Sequence, residues 1–370
     1  MKKPFLYQTI ASDLMRKILE GDFMDGQMLE SSEVLMQRYQ ASIITINKAL
    51  GVLANLGYIK RIPGKGSIVQ HPEKAVDTAT GSRMIGAVVF DMALPDVWAG
   101  AVKAIENRLY GLGYQLLVGN DAGNTERMIE YIDQFALQGV EGLVFAPLSA
   151  DSEDDFNQIN NRIIQHIEEA NIPYVVMHRV MRKVKTIQVG FDNHQDAIEL
   201  MDTLFDHQTK HPLLLSHGFF NSVVSDRERG FLESLWHRGV ADPAQYIIRL
   251  PNLANQTGAQ PDFLCMLEEE LHKHPDIDTL VAVDDHILKL LHMVVQSRTL
   301  FSEHPVILSG FGTIDDVLAT ETIDIYQKQD PTMLGEVAID HLLDMINHRS
   351  LAITQIIRIP SVLTFGKSAI

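Results

Sequence analysis

Apolar positions at the start of the chain follow a helical period. Leu6, Ile10, Leu14 and Ile18 share one side of a segment whose other positions include Gln8, Ser12, Asp13 and Arg16. Residues 31–69 read SSEVLMQRYQASIITINKALGVLANLGYIKRIPGKGSIV, and the pattern predicts an amphipathic helix ending near Tyr39, a short turn, and a second helix that Ser42 can cap. Ile46, Ala49, Leu50 and Leu53 recur at helical spacing on that second helix and predict its buried face. The period then falls to two. Tyr58–Ile62 and Ser67–Gln70 read as short strands around Pro63-Gly64-Lys65-Gly66, a turn with a basic tip. Residues 72–82 have little apolar content and no period, which predicts a linker between a first domain, 1–71, and a second, 83–370.

From Arg83 the rhythm is α/β. MIGAVVF is a short apolar run suited to a strand buried on both faces. A helix from about Trp98 to Leu112 follows, then the strand YQLLVGN, a helix Thr125–Leu137, and the strands GLVFAP, IPYVVMH and TIQVGF with one more helix among them. The alternation restarts at Pro212 with LLLSH and runs through a helix to Leu235, QYIIRL, a helix around Leu264–His272, TLVAVD, a helix from His286, VILSGF, the stretch ATETIDIYQKQDP and a helix Met333–Ile346. A strand pair around Gln355–Phe365 closes the pattern. This predicts two parallel-sheet α/β lobes joined near Gly190–Asp192: lobe one about 83–190 and 329–350, lobe two about 191–328 and 351–370. Ligands of open α/β sheets sit off the carboxyl ends of strands, so the loops facing the cleft are where binding residues are expected.

Charge divides the chain at the same place. Residues 1–75 hold ten Lys+Arg against seven Asp+Glu, a net of +3; with −17 overall, the remainder holds −20. An acidic body disfavours nonspecific phosphate contact and leaves the head able to make it; the blander reading is an acidic protein with a slightly basic end. A single cysteine, Cys265, excludes an internal disulfide framework and a cysteine metal cluster and fits a reducing compartment. The first residues are too interrupted for a signal peptide, and no apolar run reaches membrane-spanning length, so a cytoplasmic protein with no membrane partner is expected. His207 and His211 are four apart, but Pro212 follows the second; with no H-E-x-x-H stretch, no metal is expected. No Gly-x-Ser-x-Gly or Walker-type loop is present, and Gly310-Phe311-Gly312 is too short for a dinucleotide fingerprint, so neither an enzyme nor a cofactor is expected.

A helix that fits a groove, with a basic finger beside it, is a shape for duplex DNA. Thr45, Asn47 and Lys48 offer polar tips on the first turn of the second helix. Asn47 suits adenine, and Ile43 or Ile44 suits thymine methyls; Ile43 lies three residues before Ile46 and could instead be partly buried.

These residues carry a resemblance. Residues 5–69 resemble the GntR-type winged-helix head, in FLYQTIASDLMRKILEGDF, LESSEVLMQRYQAS and INKALGVLANLGYIKRIPGKGSIV. Residues 83–368 resemble the LacI/GalR-type effector domain, itself similar to periplasmic sugar-binding proteins, in IGAVVFDMALPDVW, AIENRLYGLGYQLLVGN, GVEGLVFAP, IPYVVMHR, VGFDN, SDRERGF, VDDH, LSGFGTIDD, YQKQDP and IRIPSVL. The fusion is similar to the arabinose-repressor type of regulator. For the head, the resemblance implies DNA contact by Ser31, Ser32, Ser42, Ile43, Ile44, Thr45, Asn47 and Lys48, with Arg61, Lys65 and Gly66 on the wing. Relatives commonly begin the recognition helix Ser-Arg-x-Thr-Val-Arg; here Ser42-Ile43-Ile44-Thr45-Ile46-Asn47 lacks both arginines, so bidentate guanine readout is not available at those positions. The linker also lacks a basic hinge helix for the minor groove.

A sugar needs charged partners for its hydroxyls and an aromatic wall for its C–H faces. By resemblance, Trp98 is that wall, or else a buried lid. Arg227 in SDRERGF grips ligand hydroxyls or carboxylates, unless it is a solvated helix-start charge. Asp285 in VDDH takes a hydroxyl pair, caps the following helix, or does both. Gln329 matches a glutamine near the last crossing between lobes, and Asp91, Ser149, His178, Arg179 and Asp192 stand at strand ends. Trp98 is expected from the lobe opposite Arg227 and Asp285, which should face each other across the ligand. The resulting expectation is a homodimeric, ligand-responsive transcription regulator whose heads bind a two-fold-related operator of double-stranded DNA and are released by a sugar or sugar derivative, in the first instance a neutral monosaccharide. The rivals are a sugar receptor without a DNA role and a PLP-type enzyme fused to a GntR head.

Overall fold

The computed structural model describes residues 6–19, 23–24, 26–55, 58–62, 66–69, 82–90, 97–250, 267, 269–296, 306–313, 323–348 and 354–366. The chain divides into two compact units, Met1–Thr80 and Gly81–Ile370. The first contains α1 (Leu6–Leu19), α2 (Ser32–Tyr39), α3 (Ile43–Asn55) and the antiparallel strands β1 (Ile59–Ile62) and β2 (Gly66–Val69), in register from Ile59↔Val69 to Ile62↔Gly66. The Ser31 hydroxyl accepts from the Val34 amide to start α2, and Gln40, at φ 49°, ends it in the left-handed region. Ser42 starts α3 in the same way, accepting from the Thr45 amide at 3.3 Å. The periodic residues Ile10, Leu14, Ile18, Ile46, Leu50 and Leu53 are buried together with Leu35, Ile59 and Val69.

The second unit holds two six-stranded sheets. The first runs β4 (Gln115–Asn120), β3 (Met84–Val89), β5 (Gly142–Phe145), β6 (Tyr174–Met177), β7 (Ile187–Phe191) and β13 (Gln355–Ile359), all parallel. One face packs on α4 (Val97–Gly111) and the helix Pro331–His348; the other packs on α5 (Thr125–Gln138) and α6 (Glu153–Glu169). The helix Pro331–His348 lies so close to α4 that a Cβ on Gly335 would be 2.3 Å from the Ala101 carbonyl oxygen. The second sheet runs β9 (Ile247–Leu250), β8 (Pro212–His217), β10 (Thr279–Ala282), β11 (Ile307–Gly312), β12 (Ile325–Lys328) and β14 (Val362–Phe365), with β14 alone antiparallel. α7 (Asn193–Asp206), α8 (Ser222–His237) and the helix Asp285–Gln296 bury this sheet.

One expectation is corrected here. Gln355–Phe365 is not a strand pair, and 351–370 does not belong to one lobe: β13 pairs with β7 in the first sheet and β14 with β12 in the second. The link is Pro360-Ser361, which offers none of the positive-φ residues a two-residue hairpin needs. The chain therefore crosses between lobes three times, after β7, after β12 and after β13. The anticipated linker falls almost wholly outside the described residues.

Candidate functional site

In the head, the exposed start of α3 carries the anticipated side chains. Ile44 is 77 % exposed and Ile43 42 %, while Ile46 is fully buried. Ser42 Oγ lies 2.9 Å from Thr45 Oγ1. The Asn47 amide oxygen accepts from Arg61 on β1 at 2.7 Å, so the recognition helix and the wing strand present one joined polar surface. Lys48 Nζ stands 4.4 Å over the Tyr7 ring. Ser31 and Ser32 at the α2 N-terminus line a hollow together with Arg61 and Gly66. Gly66 has φ +110°, a conformation side chains rarely adopt. Lys65 lies outside the described residues.

In the body, the carboxyl ends of the strands gather two clusters. On the first lobe Trp98, at the start of α4, is 3 % exposed and belongs to the core. It meets the His178 ring edge-on at 4.8 Å, and Arg179 lies 5.4 Å from its ring centroid. Arg179 also donates to the Pro147 carbonyl at 2.8 Å. His178 has φ 70° and lies close against Gly190, where a Cβ would be 2.9 Å from the His178 carbonyl oxygen. Its Nδ1 is buried without a hydrogen-bond partner, and burial, with Arg179 and Arg227 nearby, holds its pKa well below the ordinary histidine value. Asp121, at the end of β4, is buried with Oδ1 bonded to the Gly123 amide, and burial raises its pKa.

On the second lobe Arg227, in α8, is only 2 % exposed, which corrects the solvated-charge alternative. It donates to the Val283 carbonyl at 2.5 Å and to the Asn193 amide oxygen at 3.0 Å, and it covers the Phe311 ring at 4.8 Å. Asp285 is held by Thr313 N at 2.8 Å, Thr313 Oγ1 at 2.9 Å and the Tyr326 hydroxyl at 2.8 Å. These bonds anchor it inside its own lobe rather than leaving it open opposite Arg227. The cap assigned to Asp285 belongs to Asp284, whose Oδ1 accepts from the Ile287 amide at 3.0 Å. Asp284 Oδ2 also lies 2.6 Å from His217 Nε2, and the His217 ring stacks on Phe219 with centroids 4.4 Å apart. Burial pushes the Asp284 carboxyl up, but His217, the Ile287 amide and Arg227 outweigh it and hold the pKa well below the usual carboxylate range. Burial lifts the pKa of Asp285.

The two lobes meet at several of these residues. His178 on the first feels the charges of Arg227 and Asp284 on the second. Ser149 Oγ accepts from Asn221 at 3.2 Å, and Ala150 and Phe220 exchange backbone hydrogen bonds at 2.9 and 2.6 Å. Gln329 is buried and donates to Asn193 Oδ1 at 3.0 Å. Asp192 precedes α7 but makes no side-chain cap. Asp91 lies outside the described residues. Asp284, His217, Asn193 and Asp121 were not singled out by the sequence; the adjacent aspartates of VDDH and the Asn of VGFDN were the available signals.

Residues 82–367 match the model of the periplasmic binding proteins and sugar binding domain of the LacI family. The chain belongs to that family. Residues 6–69 match the gntR family of bacterial regulatory proteins, so this LacI-family member carries a GntR-type head. Over 354 residues it is 23 % identical to the arabinose metabolism transcriptional repressor of Geobacillus stearothermophilus, covering 93 % of this chain and 92 % of the relative. Among solved structures, it is similar to the transcriptional regulator CelR–cellobiose complex, with TM-score 0.63, 17 % identity and coverage of 88 % and 90 %. It is also similar to the Cra transcriptional dual regulator of Pseudomonas putida in complex with fructose 1-phosphate, with TM-score 0.59, 16 % identity and coverage of 77 % and 98 %. These relatives are regulators rather than enzymes, and the LacI-family chain described here is a transcription regulator. They lend no support to the receptor reading. Among the described residues no helix is long and apolar enough to cross a membrane.

Proposed function

We propose that this regulator is a homodimeric repressor whose heads bind a two-fold-related operator and whose release is triggered by a neutral monosaccharide held between the lobes. Trp98, His178 and Arg179 form the wall on one lobe, and Arg227, Asp284 and Asp285 the polar side on the other, with Gln329 at a crossing. The observation that carries the reading is Arg227: a buried guanidinium on which Asp284, Asp196 and Asp285 act as the main opposing charges. A phosphate or carboxylate brought here would meet those carboxylates as well as the guanidinium, whereas hydroxyls can donate to the acids and accept from the base. The relative named for arabinose metabolism makes L-arabinose the first probe.

In the head, Ile43, Ile44, Thr45 and Asn47 face bases, while Ser31, Ser32, Ser42, Lys48, Arg61, Lys65 and Gly66 position the phosphates. The experiment is a gel shift of the full chain on DNA from upstream of its own gene, titrated with L-arabinose and other neutral monosaccharides, and with sugar phosphates as controls. Release by a neutral sugar is expected; release by sugar phosphates alone would overturn the neutral-ligand reading, and failure to shift any DNA would overturn the operator. On the same DNA, Lys65→Ala should weaken all sequences alike and flatten the salt dependence by about one charge. Asn47→Ala should cost about 1–3 kcal/mol at one base pair.

A further inference from the structure

The three crossings between the lobes converge on the first turn of α7, and one carboxamide stands at the junction. Asn193, the first residue of α7 after the first crossing, is 2 % exposed. Its Oδ1 accepts at 3.0 Å from Arg227 Nε and at 3.0 Å from Gln329 Nε2, the latter on the second crossing. Its Nδ2 donates to the Phe191 carbonyl at 3.3 Å, and that carbonyl also accepts at 3.0 Å from Arg358, on the strand entering the third crossing. One helical turn on, Asp196 accepts from Ser361, within the third crossing, at 2.5 Å.

We infer that Asn193 is a positioning residue that ties the ligand-facing arginine to the hinge, so that whatever Arg227 grips is felt at the crossings through one shared acceptor. The inference rests on the reading of Arg227 as a ligand arm. A carboxamide oxygen has two acceptor sites, and here both are spent, one on Arg227 and one on Gln329. Arg227 is fixed at its other side by the Val283 carbonyl, which belongs to the second lobe alone. A shift of the guanidinium toward a bound hydroxyl therefore loads the Asn193 bond, and through it Gln329, whose backbone N–H donates to the Gly312 carbonyl at 2.7 Å. Side-chain packing at this junction would hold the crossings together without making Arg227 part of the hinge; a shared acceptor makes the two ends interdependent.

The test is hydrogen exchange on the full chain without ligand, followed at the crossings, 190–196, 327–331 and 358–362, and at the centres of β3 and β8 as internal reference. Asn193→Leu should speed exchange at the first two crossings about tenfold and leave the two reference strands within twofold of the natural chain. Gln329→Leu, which leaves the bond from Arg227 to Asn193 intact, should do the same at the second crossing, and it carries the test if Asn193→Leu does not fold. The double variant should be no faster than the faster single one. Asn193→Asp, which keeps the acceptor, should restore protection to within about threefold. Multiplying effects in the double variant, unchanged exchange at 327–331 in Asn193→Leu, or no restoration by Asn193→Asp would each overturn the bridge. L-arabinose is then added to the natural chain and to Asn193→Leu. An exchange change in the natural chain at both the cleft and the crossings, reduced to the cleft alone in Asn193→Leu, is the expected result. A lack of any change in the natural chain would count against the sugar reading, while the ligand-free comparisons decide the bridge on their own.

Discussion

At the cleft edge of the first lobe, Trp98 meets the His178 ring edge-on with the Arg179 guanidinium over its face, and burial keeps His178 uncharged; at the edge of the second, Arg227, Asp284 and Asp285 are fixed by charge and by hydrogen bonds to Val283, Ile287, Thr313 and Tyr326. The first arrangement offers shape, with dispersion and ring electrostatics that fall off gradually as the fit worsens. The second offers directional bonds that are lost whole when one partner goes, because the remaining charge stays buried. On the proposed reading, such a cleft would take its affinity for the ring of a sugar from one lobe and its discrimination among hydroxyl patterns from the other.

Removing the central cation should break this contrast most. Arg227→Ala leaves Asp284, Asp196 and Asp285 without their shared counter-charge, so urea unfolding of the body should show a loss of about 3–5 kcal/mol. The sugar response in the gel shift should disappear, while DNA binding by the separate head persists at low temperature. Gly312→Ala comes next. A Cβ there would lie 1.9 Å from Asp285 Oδ1, so the carboxylate must leave Thr313 and Tyr326, at about 3–4 kcal/mol of stability and with loss of sugar affinity. Wild-type sugar titration in this variant would remove Asp285 from the ligand's surroundings.

Asp196→Asn should act with the opposite sign. Burial pushes the Asp196 pKa up to about 6, above its value in the unfolded chain. Below the unfolded pKa both states are protonated and the natural chain keeps the full contribution. As pH rises toward 6 the unfolded chain gives up its proton first, so stability falls, and above about 6 the loss is complete. The asparagine, which can still accept from Ser361, should therefore be more stable than the natural chain by at most about 3 kcal/mol at pH 8, with the advantage shrinking to nothing near pH 4. A pH-independent difference would contradict this. The smallest effect belongs to the aromatic wall. Trp98→Phe keeps a ring against His178 and avoids the cavity an alanine would leave, so sugar affinity should drop only about fivefold by thermal shift or calorimetry.

Local chemistry made much of this legible in the sequence. Ser42 as a cap and the buried set Ile46, Ala49, Leu50 and Leu53 follow from neighbours a few residues away. The split of β13 from β14 was not legible, because their partners, Ile187–Phe191 for β13 and Ile325–Lys328 for β14, lie in different sheets and far outside any local window, so the two adjacent strands leave no local trace of their separation. The cleft divided along the same line. Trp98, Arg227 and Gln329 are placed at the proposed site by motif position alone, whereas the exchange of the capping role between Asp284 and Asp285 depends on where one helical turn begins. Asn193 became visible only once Arg227 and Gln329, 34 and 136 positions away, were seen on the same oxygen.

The placing of β13 and β14 also bears on how the chain is made. Each sheet takes its last edge strand from residues beyond 354, one for each lobe, so both lobes keep an open β edge while everything before that point is being synthesised. The head, whose described strand pairing lies within its own unit, waits on no strand made later; the two lobes can finish only together and late. A ribosome stalled before residue 354 would thus hold a DNA-reading head attached to a body with two sticky edges, a species suited to capture by chaperones or to self-association rather than to regulation.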